Sequence, residues 1–114
     1  MKKRSVTCEQ WDVVVVPFPF TDRPAEKRRP ALVISKETFN QSGHTVLAMI
    51  TSAAQPSWPG DTPLTDYKTA GLHVPCVVRL KVFTLDNRLI LRSIGHLTAS
   101  DRKSAGKNVR VHLF

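Results

Sequence analysis

Short apolar stretches separated by polar segments dominate the first 97 residues. WDVVVVPFPF, at 11–20, contains four successive valines, which are typical of a strand buried on both faces. RPALVIS, at 29–35, and TVLAMITS, at 45–52, predict a second and a third strand. LHVPCVVRLKVFTL, at 72–85, predicts one further strand or a pair of strands, and RLILRSIGHL, at 88–97, predicts another.

The remaining segments predict a long loop and a C-terminal helix. Residues 53–71 contain three prolines and two glycines, which indicates an irregular excursion with one short strand. After Thr98 the apolar period changes, and Asp101 stands three residues further on, as in a capping box. The helical spacing i, i+4 and i+8 is occupied by Ala105, Val109 and Leu113.

Length and composition indicate one folded unit. The chain has 114 residues, of which 41% are hydrophobic and 23% charged, as is usual for a globular protein. No linker, repeat or low-complexity tract divides the sequence. We therefore expect a single domain over residues 1–114, mainly β, in which a strand-rich barrel carries one C-terminal α-helix. A core of this size leaves apolar surface that dimerisation would cover.

The excess of positive charge indicates the kind of partner that the protein binds. Seventeen Lys and Arg against nine Asp and Glu give a formal net charge of +8 and a pI near 10.1. Such a charge attracts polyanions over long distances. Nucleic acid, an anionic membrane surface and an acidic protein all remain candidates, because charge alone does not choose between them.

The sequence lacks the residue patterns that several kinds of functional site require. Cys8 and Cys76 form no CxxC pair, and four scattered histidines have no metal-ligand spacing, so we expect no metal and no cofactor. No GxSxG, Walker or dinucleotide motif occurs. MKKR at the start is followed by polar SVTCEQWD instead of an apolar segment, and no stretch is long enough for a membrane span. We expect a cytoplasmic protein.

Arginines next to hydroxyl groups are the remaining candidate chemistry. Arg28 and Arg29 precede the second strand, Thr51 and Ser52 end the third, and Thr21 lies in the loop before them. If the two strands pair in a meander, the start of one lies beside the end of the other. A guanidinium and a hydroxyl would then meet at a phosphate-binding corner. The alternative is a pair of solvated arginines beside an ordinary strand end.

The sequence resembles the MazF/PemK family of toxin endoribonucleases from bacterial toxin–antitoxin systems. The resemblance lies in DVVVVPFPFTD, KRRPALVIS, MITS and, more loosely, VVRLKVFTLDNRLILRSIGHLTASD. These segments occur in the family's order over nearly the whole chain. The resemblance implies a small SH3-like barrel with a C-terminal helix, working as a homodimer. It also implies an acidic antitoxin protein as partner.

The resemblance further implies cleavage of single-stranded RNA, usually mRNA, without a metal, by attack of the RNA's own 2′-hydroxyl to leave a cyclic phosphate. The family's catalytic arginine and threonine correspond to Arg29 and Thr51. Arg29 is expected to neutralise the phosphate and Thr51 to orient it. Residues expected to contact RNA around them are Thr21, Lys27, Arg28 and Ser52.

Two departures from the family pattern affect these expectations. Some relatives carry Asp or Gln where this chain has Leu80 and Lys81, so Lys81 or the preceding Arg79 is the candidate RNA contact here. The usual glycine before the first strand's aspartate is replaced by Trp11, which we expect to alter packing or a dimer contact. The first departure leaves the cleavage motif open.

Two aromatic residues of the long loop have alternative roles. Trp58 and Tyr67 either stack on RNA bases or pack the loop against the barrel. Two alternative functions also stand beside the ribonuclease. One is a nucleic-acid-binding barrel without catalysis, and the other is a toxin of the same fold that poisons DNA gyrase. The KRRPA arginines favour RNA, because a poison needs a docking surface more than an aimed cation.

Overall fold

The computed structural model describes residues 7–17 and 27–114, and within them one antiparallel sheet and two helices form the fold. The strands are β1 (Asp12–Pro17), β2 (Arg28–Val33), β3 (His44–Ser52), β4 (Thr62–Pro63), β5 (Cys76–Asp86) and β6 (Arg92–His96). The helices are α1 (Glu37–Asn40) and α2 (Ala99–Leu113), and a 3-10 turn spans Asn87–Leu89. The strand order is β4-β5-β3-β2-β1-β6, and the sheet curls into a half-barrel. The mainly β class with a C-terminal helix is confirmed.

The valine run of β1 is buried on both faces of the sheet, as predicted. Val13 pairs with Leu32 and belongs to the larger apolar cluster, which lies on the face covered by α2. Val14, the next residue, pairs with Ala31 and belongs to a second cluster on the opposite face. Because side chains alternate along a strand, one run of valines supplies both cores. The predicted continuation of this strand over 18–20 lies outside the described residues.

One segment with two predicted alternatives follows the first of them, and another strand is shorter than predicted. The segment predicted as one strand or two is a single long strand, β5, whose pairing with β3 shifts between Ala48 and Met49. The strand predicted over 88–97 is shorter, because its first residues form the 3-10 turn instead. Asp86 caps that turn by accepting a hydrogen bond from the Arg88 amide at 2.9 Å. The predicted short strand in the long loop is β4.

Helix α2 begins at the predicted cap but does not complete a capping box. The Thr98 hydroxyl accepts from the Asp101 amide at 3.2 Å. The Asp101 carboxylate, 1% exposed, instead accepts from the Thr65 amide, the Thr65 hydroxyl and the Asp66 amide, at 2.8–3.1 Å. It therefore ties the first turn of α2 to the long loop, and a sequence pattern that shows only local spacing does not reveal such a bond.

The predicted apolar stripe of α2 weakens toward the C-terminus. Ala105 is buried in the main core, whereas Leu113 is 43% exposed. Gly106, rather than the next stripe residue, is the other buried apolar position. Its surface faces the ring of Trp11, which lies 3.6 Å from where a Cβ would stand.

Trp11 occupies a backbone conformation that favours glycine. Its φ is 77°, and among the described residues it is the one non-glycine residue with positive φ. Its amide donates to the Val33 carbonyl at 2.8 Å, and its carbonyl accepts from the Leu97 amide at 3.1 Å. These bonds and the contact with α2 hold the strained conformation. Of the two expected consequences, altered packing or an altered dimer contact, the position of the ring against α2 corresponds to the first.

A cluster of buried polar side chains lies beside the start of β3. Asn87 donates to the Asn40 carbonyl at 2.7 Å and accepts from the Thr45 hydroxyl at 2.7 Å. Asn40 donates in turn to the carbonyls of Cys8 and Ser35, at 2.9 and 3.2 Å. Thr45 and Asn40 are 0% exposed. Because the polar side chains bond one another and the backbone, this cluster joins β3, α1 and the 3-10 turn without an uncompensated burial cost.

Candidate functional site

The predicted corner between Arg29 and Thr51 can be located from the strand register. Ala31 pairs with Met49, and continuing this antiparallel register by two residues places Arg29 opposite Thr51. Both residues lie within their strands and both are half-buried. Residues directly opposite in antiparallel strands project to the same face. The two side chains predicted to meet therefore share one face of the sheet.

The other predicted contacts are distributed around this pair. Lys27 and Arg28 are exposed at the start of β2. Ser52 follows Thr51 and projects to the opposite face. Its hydroxyl accepts a hydrogen bond from the Ala54 amide at 3.1 Å, at the beginning of the long loop. Thr21, predicted to help hold a phosphate, lies outside the described residues. The predicted lid between Asp22 and Lys27 lies outside them as well, except for its last residue.

A cavity of about 550 Å³ borders the start of β2. Its floor is apolar and consists of Val15, Pro30, Gly71, Leu72, Val74, Cys76 and Ile94. Its polar border consists of Arg28, Arg29, Arg92 and His73. Three arginines around a concave apolar floor suit an anionic ligand that also has an apolar part.

Two residues of this cavity were missed by sequence reasoning. Arg92 lies in β6, which pairs with β1 so that Arg92 stands opposite Val15, far away in the chain. His73 comes from the loop before β5. No local sequence pattern predicts that either residue lies at the cavity, because the order β2-β1-β6 depends on long-range pairing. Alternation in RLILRSIGHL would have shown only that Arg92 lies on a strand.

The cavity thiol does not add reactive chemistry. Cys76 is buried, and burial raises the pKa of its thiol above the ordinary value. Burial, with the nearby Asp12 charge, likewise raises the pKa of Cys8 to about 11. Because the thiolate is the nucleophilic form, both residues act as small apolar groups at neutral pH.

Arg79, predicted to contact RNA, is held by the protein itself. It is 7% exposed, and its Nε and Nη2 donate to the two carboxylate oxygens of Asp61 at 3.2 and 2.9 Å. Nη2 also donates to the Pro56 carbonyl at 2.7 Å. Burial opposes ionisation of Asp61, but the hydrogen bonds from Arg79 and the Trp58 amide hold the pKa of its carboxyl below the ordinary value. The charge of Arg79 is therefore balanced within the fold.

The two loop aromatics have different environments. Tyr67 is partly buried against the main core, which corresponds to the packing alternative. Trp58 is 43% exposed, and the Cζ of Arg79 lies 5.2 Å from its ring centroid. The Nζ of Lys81, the other predicted substitute contact, lies 5.9 Å from the same centroid. Of the two rings, Trp58 is the one open to a ligand.

The described part of the chain contains neither a cluster of metal-binding side chains nor a membrane-spanning helix. Within residues 7–17 and 27–114, no three His, Cys, Asp or Glu side chains lie together as a metal site would require. In the same ranges, neither helix has the length and apolar character needed to cross a bilayer.

Fold and site together define a small basic β-protein with a curled antiparallel sheet and three arginines beside one cavity. The sequence matches the family model described as PemK-like, MazF-like toxin of type II toxin-antitoxin system over residues 9–113. The chain therefore belongs to this toxin family. No curated protein matches it at a significant level.

Solved structures of the family share the fold. MazF (Form-I) from Deinococcus radiodurans is 25% identical, with a TM-score of 0.72 over 95% of this chain and 97% of that one. The Mycobacterium tuberculosis toxin MazF-mt6 is 21% identical, with a TM-score of 0.69 over 86% of this chain and 91% of that one. An endoribonuclease in complex with its cognate antitoxin, from a mycobacterial species, is 13% identical, with a TM-score of 0.74 over 93% and 94%.

Proposed function

We propose that this toxin is a metal-independent endoribonuclease that cleaves single-stranded RNA, mRNA in particular. The 2′-hydroxyl of the RNA attacks the neighbouring phosphorus and leaves a 2′,3′-cyclic phosphate. Arg29 and Thr51 are the catalytic residues of this proposal. Lys27 and Arg28 bind the RNA beside them, together with Arg92.

One observation carries the proposal. The register of β2 and β3 brings Arg29 opposite Thr51 on one face of the sheet, at the end where β2 begins. Arg29 also borders the cavity at this end, whose floor residues Val15 and Pro30 belong to the opposite face. A guanidinium offers a planar fork that fits two phosphoryl oxygens, and a hydroxyl beside it both donates and accepts. Family membership supports the same assignment, since Arg29 and Thr51 lie within the matched residues 9–113 and in the segments that resemble the family.

The chemical step requires charge stabilisation more than a special nucleophile. The bond from the 2′-oxygen to phosphorus forms while the bond from phosphorus to the 5′-oxygen breaks. The 2′-hydroxyl loses a proton and the departing 5′-oxygen gains one, so the step is balanced without a metal or a redox partner. Arg29 meets the negative charge that develops on the phosphoryl oxygens, and Thr51 holds the phosphate in line with the attack.

The cationic surroundings account for binding of a long polyanion. Arg28 and Arg92 border the cavity next to Arg29, and the whole chain carries a net charge of +8. Cations that neutralise phosphates release counterions, so affinity falls steeply as salt rises. We expect RNA binding to weaken strongly between low and physiological salt, whatever the RNA sequence.

The assembly of the toxin forms part of the same proposal. We propose a cytoplasmic homodimer, each chain a single domain, inhibited by an acidic antitoxin. The net charge of this chain supports an acidic partner. Co-expression with the candidate antitoxin should relieve growth arrest, and light scattering should report twice the mass of the 12.8 kDa chain. A monomeric mass, or arrest that persists, would contradict this part.

The decisive experiment is RNA cleavage in EDTA with mapping of the ends. The natural chain should produce 2′,3′-cyclic phosphate ends, and Arg29→Ala should lower the rate by about 10³-fold, the effect of removing a donor to the transition state. Arg88→Ala is the matched control, because it removes the same charge from an exposed arginine at the other end of β3.

Replacement of the ribose at the mapped cut by deoxyribose removes the nucleophile and should abolish cleavage. Cleavage of that substrate would overturn the mechanism. RNA binding without cleavage by any variant would instead identify a nucleic-acid-binding barrel without catalysis. Co-purification of a topoisomerase with an RNA-inactive chain would identify a poison of DNA processing.

A further inference from the structure

The loop that carries Trp58 is fixed by several polar contacts. The Trp58 amide donates to Asp61 Oδ2 at 2.9 Å, and the Asp61 amide donates back to the Trp58 carbonyl at 3.2 Å. Arg79 then binds the same carboxylate with two nitrogens and the Pro56 carbonyl with one of them. A long loop that one buried arginine holds at two residues by three hydrogen bonds presents its aromatic ring in one place.

The ring itself is unusually available for an anchored aromatic residue. Trp58 is 43% exposed although two cations, Arg79 and Lys81, lie within 6 Å of its centroid. Cations at a ring favour its negative face and restrict its orientation. The ring also borders a cavity of about 480 Å³ with Leu80 and His112, which leaves room for a further planar group.

The position of Arg79 relative to the Arg29–Thr51 pair follows from the sheet. Arg79 pairs with Met49, which lies two residues before Thr51 on β3 and therefore projects to the same face. Arg79 thus shares that face with Thr51 and, through the register, with Arg29. Strands β2 and β5 are separated only by β3, and the two arginines are staggered by two residues, so their backbones stand about 12 Å apart across the sheet.

The chemistry of the two arginines differs in spite of this shared face. Asp61 neutralises Arg79, which is 7% exposed, so Arg79 is poorly suited to bind a phosphate. The exposed group beside this part of β5 is the indole of Trp58. Aromatic faces accept any base, because every base has a π-face, and stacking contributes affinity with little sequence preference.

We propose that Trp58 is a stacking platform for a base that flanks the cleavage site, and that Arg79 and Asp61 are positioning residues that hold it. The inference rests on the proposed RNA substrate and adds a binding site for a flanking nucleotide. The platform contributes to substrate affinity, whereas Arg29 and Thr51 contribute to the chemical step.

Fluorescence tests the platform directly, because the chain has two tryptophans in different places. Trp11→Phe leaves Trp58 as the reporter, and Trp58→Phe leaves Trp11, which packs against Gly106. A mixed-sequence RNA with 2′-O-methyl groups on every ribose binds without being cut. We expect this RNA to quench the emission of Trp11→Phe strongly and that of Trp58→Phe weakly. Equal quenching, or quenching only of Trp11, would overturn the proposal.

Kinetics separate positioning from catalysis. Trp58→Ala should raise KM about 10-fold or more with kcat within about 3-fold, and Trp58→Phe should retain most of the affinity. The double variant Arg79→Met with Asp61→Asn removes both charges without leaving one unpaired, and it should also raise KM. Added to Trp58→Ala, it should have little further effect, because both changes act through one ring.

The outcomes distinguish this proposal from the proposed function. Cleavage with an unchanged KM in Trp58→Ala would overturn the platform and leave the ribonuclease intact. Quenching of Trp58 without cleavage by any variant would leave the platform intact and overturn the ribonuclease. A fall in kcat for the Arg79→Met, Asp61→Asn variant on a Trp58→Ala background would make Arg79 a phosphate ligand and overturn its positioning role.

Discussion

The two ends of β3 both carry a threonine among polar residues, but the environments of the two threonines differ. Thr45 is completely buried and donates to Asn87, whose amide donates onward to Asn40. Thr51 is half-buried and stands opposite Arg29, at the end of the sheet where exposed arginines border a cavity. The first end is neutral and hydrogen-bonded internally, whereas the second is cationic and partly open.

This difference separates polar groups that stabilise the fold from polar groups suited to a ligand. A buried polar cluster is tolerated when its members bond one another, and its loss is felt as lost stability. Cations gathered at a concave surface repel one another and are stabilised by an anion from outside. Residue type alone does not distinguish the ends, because both offer threonine and nitrogen donors.

The largest effect is expected from breaking the neutral end. Asn87→Ala leaves the buried Thr45 hydroxyl without its acceptor and the Asn40 carbonyl with only the Gly43 amide, so the free energy of unfolding should fall by about 2–4 kcal/mol. Urea denaturation measures this change. Ser42→Ala is the control, because it removes an exposed hydroxyl of the same corner and should change stability by less than about 0.5 kcal/mol. Equal effects of the two substitutions would contradict the claim that the polar cluster stabilises the fold.

The same substitution at each end sharpens the comparison. Thr51→Val should lower kcat/KM for RNA by about 10²-fold, because the hydroxyl beside Arg29 is lost, with little change in stability. Thr45→Val should lower the free energy of unfolding by about 1–2 kcal/mol with unchanged kcat/KM, because the Asn87 carbonyl oxygen loses its donor. Valine keeps the shape and β-preference of threonine in both cases. If Thr45→Val impairs cleavage as strongly as Thr51→Val, the distinction between the ends is wrong.

A smaller, stabilising change tests whether activity follows stability. A Cβ at Gly106 would meet Trp11 and Arg110 at 3.6 Å, an ordinary contact, so Gly106→Ala should raise the free energy of unfolding by about 0.5–1 kcal/mol through helix propensity. Combined with Thr45→Val, it should restore part of the lost stability. Combined with Thr51→Val, it should restore no cleavage, and recovery of cleavage there would attribute the loss to folding.

The smallest effect concerns pH and the carboxylates near the two ends. Hydrogen bonds from Arg88 hold the pKa of Asp86, opposite His44, at about 2. The pKa of Asp61 is also lowered, so its stabilisation of the loop is present above the unfolded value of about 3.9 and is lost as pH falls through the folded value. Emission of Trp58 in Trp11→Phe should therefore change below about pH 4. Asp61→Asn should abolish that change, whereas Asp86→Asn should preserve it.

Much of the fold was predictable because it depends on local periodicity. The valine run and the RPALVIS and TVLAMITS stretches predicted three strands that the structure contains, with bounds that differ by one to a few residues. Thr98 predicted the start of α2. The meander assumption also placed Arg29 beside Thr51, because consecutive antiparallel strands bring the start of one to the end of the other.

The site was only partly predictable, since several of its residues depend on distant partners. Arg79 follows an apolar run and resembles a free cation in the sequence, but Asp61, 18 positions earlier, neutralises it. Arg92 reaches the cavity through the pairing of β6 with β1. Asp101 fits a capping box, yet its carboxylate binds the long loop 36 positions away.

The order of apolar and polar residues determined the strands, the helix start and the excess of positive charge, because these follow from side-chain periodicity and from counting. Tertiary structure alone decided that Arg79 pairs with Asp61 and that Arg92 borders the cavity. Ion pairing depends on distances of a few ångströms between residues far apart in the chain, and such distances arise only when the strands have paired.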